Sequence, residues 1–216
     1  MKSKKQKVGN ILMSIGAILI IGAMALFAYN EYSDIKAGNE AENVVLLISK
    51  EIATKTNHGS DIEIPDYEVS REEVSSSEEE IIPDMPVIEV DGHNYIGTIS
   101  VPELSIELPV MDEWRDNYDD LKISPVRYSG SVYTNDMVIA GHNYRSHFNP
   151  LHNASVGMEV IFTDAYGTVY VYEIVELETI EPTDINGMII FDSDLTLFTC
   201  TYGGAARHTV RCMRVN

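Results

Sequence analysis

Between Val8 and Tyr29 the chain runs for 22 residues without a single charged side chain. As a helix this run would be about 33 Å long at ~1.5 Å per residue, against a bilayer hydrocarbon core of ~30 Å. The segment is therefore read as a transmembrane signal anchor over residues 8–29. Lys2, Lys4, Lys5 and Lys7 precede it, and Glu31 and Asp34 follow it. The positive-inside bias puts residues 1–7 in the cytoplasm as a basic tail and everything after the span outside. A cleaved signal peptide is the rival reading, because Ala23-Met24-Ala25 has the small-x-small form of a cleavage site. The apolar run outlasts a usual signal core and continues past that site, which favours an uncleaved anchor. In either case the remainder of the chain is exported: a single-pass protein of the plasma membrane with its main domain extracellular.

Charge divides the rest of the chain into two regimes. Residues 31–92 hold 17 acids and 4 bases, and the chain as a whole carries a net charge of −19. Nucleic acid demands a basic surface, so no nucleic-acid partner is expected. Residues 30–92 are read as an acidic extracytoplasmic tether. Within it, Glu40 to Lys55 has the apolar spacing of a short amphipathic helix through Val44, Val45, Leu47, Ile48 and Ile52. From Thr56 to Val90 the chain carries Glu72-Glu73, Ser75 to Glu80 and three prolines, too little apolar surface to offset the entropy of ordering.

Residues 93–216 read as an all-β domain, a barrel or sandwich of short strands with short helices. Tyr95 to Val101 is β-rich and stops at Pro102, while Pro109 interrupts Ile106 to Met111, which suggests an edge position or a bulge. Met137 to Ala140 is a short apolar strand ended by Gly141. Glu159 to Thr163 and Thr168 to Ile180 flank the turn Asp164-Ala165-Tyr166-Gly167, and Leu195 to Cys200 and Arg207 to Val215 flank Gly203-Gly204; both read as hairpins. Short helices are expected near Asn117 to Leu121 and Asn149 to Val156.

The chain has two cysteines. If Cys200 faces Arg207 across the last hairpin, Cys212 faces Leu195. The two cysteines then lie five ladder positions apart, roughly 16 Å at ~3.3 Å per residue. A disulfide needs Cα atoms within about 7 Å, so that register leaves Cys200 a free thiol beside an arginine. Burial of both as small hydrophobes, or a disulfide in another register, are the alternatives from spacing alone.

Thr196-Leu197-Phe198-Thr199-Cys200 resembles the Thr-Leu-x-Thr-Cys motif of sortases, the membrane-anchored cysteine transpeptidases of Gram-positive bacteria. Arg207-His208-Thr209-Val210 stands where the family places its arginine, and Ile139-Ala140-Gly141-His142-Asn143 is similar to its strand-end Gly-His. The resemblance covers roughly residues 95–216 and implies a closed sortase-like β-barrel of about eight strands. It implies Cys200 as nucleophile, His142 as general acid and Arg207 as the third member. Thr199 and Leu197 would support the substrate pocket, with strand packing the plainer role for Leu197. The chemistry agrees: a thiol ordinarily ionises near ~8.5, an arginine is always charged and can steady both thiolate and oxyanion, and an imidazole can protonate a leaving amine. The implied reaction cleaves a Leu-Pro-x-Thr-Gly-like sorting signal after Thr, holds the acyl group on sulfur and passes it to an amine. Its partners would be surface proteins bearing that signal and an amine of peptidoglycan or of a pilin.

No cofactor or metal is expected. His142, His147 and His152 are spaced five apart, which does not align ligands on one helix face, and no cysteine joins them. His147 and His152 are read as solvated loop residues, and His208, next to Arg207, should face the other side of its strand. Some sortases bind calcium through carboxylates near the cleft; Glu103, Glu107 and Asp112 are the candidates here. Arg211 and Arg214 are rival arginines, with Arg211 on the same face as Arg207. Trp114, Tyr128 and Tyr133 are read as core or cleft-wall rings. Without an Asp-Pro lid motif or a second span after Asn216, a housekeeping or class-D-like enzyme is favoured. A cysteine peptidase that only hydrolyses, and a non-enzymatic surface β-domain binding a wall component, are the alternatives.

Overall fold

The computed structural model describes residues 4–57, 83–114 and 119–216. The acid- and serine-rich part of the expected tether lies outside the described residues. Two compact units are present, residues 1–36 and 37–216, and the helix α1 (Lys4–Asn57) contributes to both. In the first unit, the apolar residues of the expected span are exposed, among them Ile11, Leu19 and Phe27. This helix is long and apolar enough to cross a membrane.

In the second unit, the start of the ordered domain lies well before residue 93. Ala37, Ala41, Val44, Val45 and Ile48 are buried. They recur at the three- and four-residue steps of one helix face, and that stripe covers the outside of the sheet. Leu47, expected on the same face, is 47% exposed. Val44 and Ile48 pack with Ile88, Val90, Tyr95, Met111 and Val126. So this part of the expected tether belongs to the folded domain, because its apolar stripe has a sheet to bury against.

The sheet has nine strands: β1 (Ile88–Val90), β2 (His93–Val101), β3 (Ile106–Met111), β4 (Val126–Ser129), β5 (Met137–Ala140), β6 (Glu159–Asp164), β7 (Val169–Ile180), β8 (Leu195–Cys200) and β9 (Arg207–Arg214). Their order is β1-β2-β3-β4-β5-β8-β9-β7-β6, and β2 also pairs with β6. That last pairing closes β2 to β9 into an eight-stranded barrel and leaves β1 as a short addition beside β2. Closure needs β2 to hold a neighbour on each side, and Gly97 sits where it does so. It has φ +150°, and a Cβ there would lie 1.9 Å from the Thr163 carbonyl oxygen. A register shift between Tyr95 and Gly97 adds the local bend a barrel corner requires.

Ile99, Val110, Ile139, Phe162, Leu197 and Val210 meet in the interior. β4 reaches β3 only at Met111–Val126, so Pro109, opposite Thr98, lies where one flank of its strand is unpaired. The short helices are α2 (Asp120–Ile123) and α3 (Ile185–Ile189), with 3₁₀ turns at Pro102–Leu104 and Asn149–Asn153. Both expected hairpins form, with Gly167, Gly203 and Gly204 at positive φ.

Candidate active site

The register of three strands assembles the site. β8 and β9 are antiparallel with Cys200 opposite Arg207 and Leu195 opposite Cys212. Of the registers the sequence left open, this is the one that separates the two cysteines, and both are free. β5 runs parallel to β8 with Ala140 opposite Phe198, and the ladder continues as the Gly141 N–H donates to the Phe198 carbonyl at 2.9 Å. His142 therefore comes two residues past Ala140 just as Cys200 comes two past Phe198. Side chains alternate along strands, so His142, Cys200 and Arg207 follow the same outward face to the same end of the sheet.

A cleft of about 320 Å³ opens there, and all three residues line it. Phe198, Tyr128 and Trp114 build its aromatic side. Tyr128 meets Phe198 edge-on at 5.5 Å and Trp114 at 5.9 Å between ring centres. The β7–β8 connection also lines the cleft, through Asp184, Ile185 and Met188. Cys200 is partly exposed, whereas Cys212 is fully buried among core residues. Burial pushes the Cys212 thiol well above its ordinary range, against a smaller opposing effect of Arg211. Only Cys200 combines access with a position in the cleft.

The loop carrying His142 is folded back on itself. The Phe148 N–H donates to the His142 carbonyl at 3.1 Å, and the His147 and Asn149 N–H groups donate to the Tyr144 carbonyl at 3.0 Å each. Asn149 Nδ2 donates to Asn143 Oδ1 at 2.9 Å and to the Tyr202 hydroxyl at 3.2 Å, tying this loop to the one after Cys200. The Tyr144 ring stands edge-on to His142 at 4.1 Å. Phe148 packs onto the backbone at Gly141, where a Cβ would come within 2.2 Å of the ring. Tyr144, Phe148 and Asn149 were not singled out from the sequence. Their signal is only their nearness to His142, which loop residues of every kind share.

The structure sorts the other candidates. Thr199 lines the cleft and is 1% exposed. Leu197 is fully buried in the barrel core, so packing is the role the structure gives it. Arg211 lies on the Arg207 face, as its spacing requires, but is fully buried beneath the β7–β8 connection. Arg214 is outside the cleft, over the Tyr170 ring. His208 points away from the cleft, with Nε2 at 3.0 Å from the Leu151 carbonyl oxygen. The expectation that His147 and His152 are solvated is corrected. His147 is 1% exposed, and His152 is half-buried between the rings of Tyr202 and His208. Both belong to a segment whose apolar neighbours, Phe148 and Leu151, anchor it in the core. Of the three carboxylates considered for calcium, Asp112 is bonded to Arg127 at 2.7 Å. None of the three lines the cleft.

A family model for the sortase domain matches residues 99–215. The chain belongs to the sortase family. Sortases are cysteine transpeptidases, and two solved members are similar in structure. Sortase C1 from Streptococcus agalactiae is 26% identical with a TM-score of 0.51; the match covers 59% of this chain and 71% of that one. Sortase A from Corynebacterium diphtheriae is 22% identical with a TM-score of 0.51, covering 57% and 62%. The second of these shows the fold alone. No curated protein sequence matches this chain significantly. The matched residues take in the barrel from within β2 to β9, with the cleft at the end of β5, β8 and β9.

Proposed function

We propose that this sortase is a membrane-anchored transpeptidase in which Cys200 is the nucleophile, His142 the general acid and base, and Arg207 the oxyanion donor. The observation that carries this reading is that all three side chains line one cleft, with Cys200 and Arg207 as direct cross-strand partners.

The Cys200 thiolate attacks the carbonyl carbon of the Thr residue in a Leu-Pro-x-Thr-Gly-like signal. Its electron pair forms the C–S bond, and the carbonyl π pair moves onto oxygen beside the Arg207 guanidinium. A guanidinium presents fixed, planar donors and stays protonated, so it stabilises charge there without reorganising. Collapse of the adduct expels the amine of the following residue, which takes its proton from His142. The thioacyl-enzyme is then attacked by an incoming amine, His142 recovers a proton, and Cys200 leaves as thiolate. One peptide bond is broken and one amide bond formed, so no energy source is needed. The substrate would be an exported surface protein, and the acceptor an amine of peptidoglycan or of a pilin. The apolar stretch at the start of α1 would hold the enzyme in the plasma membrane, with its lysines on the cytoplasmic side.

The test is incubation of the full-length protein with a panel of sorting-signal peptides and a small amine such as hydroxylamine. The expected product is the Thr hydroxamate, absent with Cys200→Ala. A product that is only the free acid at high amine would assign a hydrolytic peptidase. No Cys200-dependent cleavage of any peptide would leave a binding domain.

A further inference from the structure

Arg211 stands four residues from Arg207 on the same face of β9, yet it is wholly buried. Burying a guanidinium is costly unless its donors are satisfied. Here they are satisfied by the α3 backbone together with Thr196 and Glu178. Nη1 donates to the Met188 carbonyl at 3.0 Å and to Thr196 Oγ1 at 2.9 Å, and Nη2 donates to the Gly187 carbonyl. Nε and Nη2 both reach Glu178 Oε1, at 2.7 and 2.6 Å. On its open side the Phe191 ring covers the guanidinium at 4.3 Å.

The element held in this way could not hold itself. α3 has five residues, little more than one turn, and an isolated helix of that length does not persist in water. At its start, Asp184 Oδ1 accepts from the Gly187 N–H. Near its end, two of the carbonyls that a helix leaves without intrahelical partners accept from Arg211. Met188 alone contributes a buried side chain, against Val138 and Ile180. Ile185, Ile189 and Ile190 stay exposed, so apolar burial adds little more.

We propose that Arg211 is a positioning residue: it fixes the α3 wall, which presents Asp184, Ile185 and Met188 to the cleft, and thereby sets how tightly the peptide substrate is held. Two of the three arginines of β9 divide the work, Arg207 facing the reacting atoms and Arg211 the scaffold of the binding wall. This rests on the peptidyl-transfer reading of the cleft.

The experiment compares the full-length protein with Arg211→Lys, which keeps the charge but loses the planar fork. Amide exchange at Gly187, Met188 and Ile190 should quicken about tenfold or more, while β8–β9 amides hold. KM for the sorting-signal peptide should rise about tenfold, with kcat within about threefold. Unchanged exchange at α3 overturns the proposal. So does a fall in kcat at constant KM, which would make Arg211 part of the chemistry. Should Arg211→Lys not fold, Glu178→Gln and Phe191→Ala take its place, with the same directions expected. Unchanged exchange and KM in both would equally overturn it. If the wild-type protein cleaves no peptide, the substrate half falls with the transpeptidase reading. Exchange at α3 still decides the anchoring half.

Discussion

Cys200 and Arg207 are directly opposed across the last two strands of the barrel, while Cys212, on the same strand as Arg207, faces Leu195 deep in the core. The two thiols of the chain therefore live in unlike surroundings: one at a cleft, one sealed.

Alkylation of the native protein should modify one cysteine. Cys200 is partly exposed, and Cys212 has no exposure and a thiol pushed up by burial. Intact mass after treatment with an alkylating reagent should show a single adduct, and peptide mapping should place it at Cys200. Two adducts before unfolding would contradict the fold at β9.

Arg207→Ala should cut kcat by about 10²–10³-fold, the range seen when one oxyanion donor is lost. Arg207→Lys should recover only part of this, because an ammonium lacks the planar fork. The melting temperature should barely move, since among the described residues the Arg207 guanidinium hydrogen-bonds only to the Gly204 and Ala206 carbonyls of its own hairpin.

Gly141→Ala should impair both stability and activity. The new methyl would collide with the Phe148 ring, which is fully buried in the core. Overpacking of this kind costs about 1–3 kcal/mol. Because His142 is the next residue, its ring should shift as well. A drop in peptide cleavage larger than the fraction unfolded, measured on the same sample, would separate the two effects.

Ile48→Ala should destabilise the domain by about 2–4 kcal/mol, the usual range for emptying a buried aliphatic site. Ile48 is fully buried against the outer face of the sheet. A chain beginning at residue 83 should melt at lower temperature than one beginning at residue 37. Equal melting of the two would mean that the helix is only a spacer.

Acid should weaken the fold partly through His208. Burial, reinforced by His152, holds its imidazole below the ordinary value, and the Leu151 carbonyl only partly offsets this. A depressed folded pKa means that the unfolded chain binds the proton more readily. The contribution is complete above about 6.5 and is lost as pH falls toward the folded value. His208→Gln should flatten the loss of melting temperature over that interval; an unchanged slope would assign it to other groups.

Some of this was already written in short stretches of sequence. The uncharged run from Val8 to Tyr29 marks a candidate span by length and polarity alone. The Gly203-Gly204 turn marks the last hairpin, but the opposition of Cys200 and Arg207 was one of the registers it left open, and the paired strands decided it. Two other matters depended on contacts between distant segments. Met137 to Ala140 is apolar on both faces, so its pattern does not say which strand lies beside it or which side carries His142. Arg207 and Arg211 have the same spacing-derived orientation, and only the covering of one by α3 and Phe191 separates cleft from scaffold. The stripe from Ala37 to Ile48 is helical by its own spacing, but a helical stripe gains stability only where an apolar surface meets it. That surface is made by residues of β1 to β4, brought together by the sheet. Propensity, turn chemistry and hydrophobic length act over a few residues, whereas the choice of neighbours and of the buried face is made by the whole core at once.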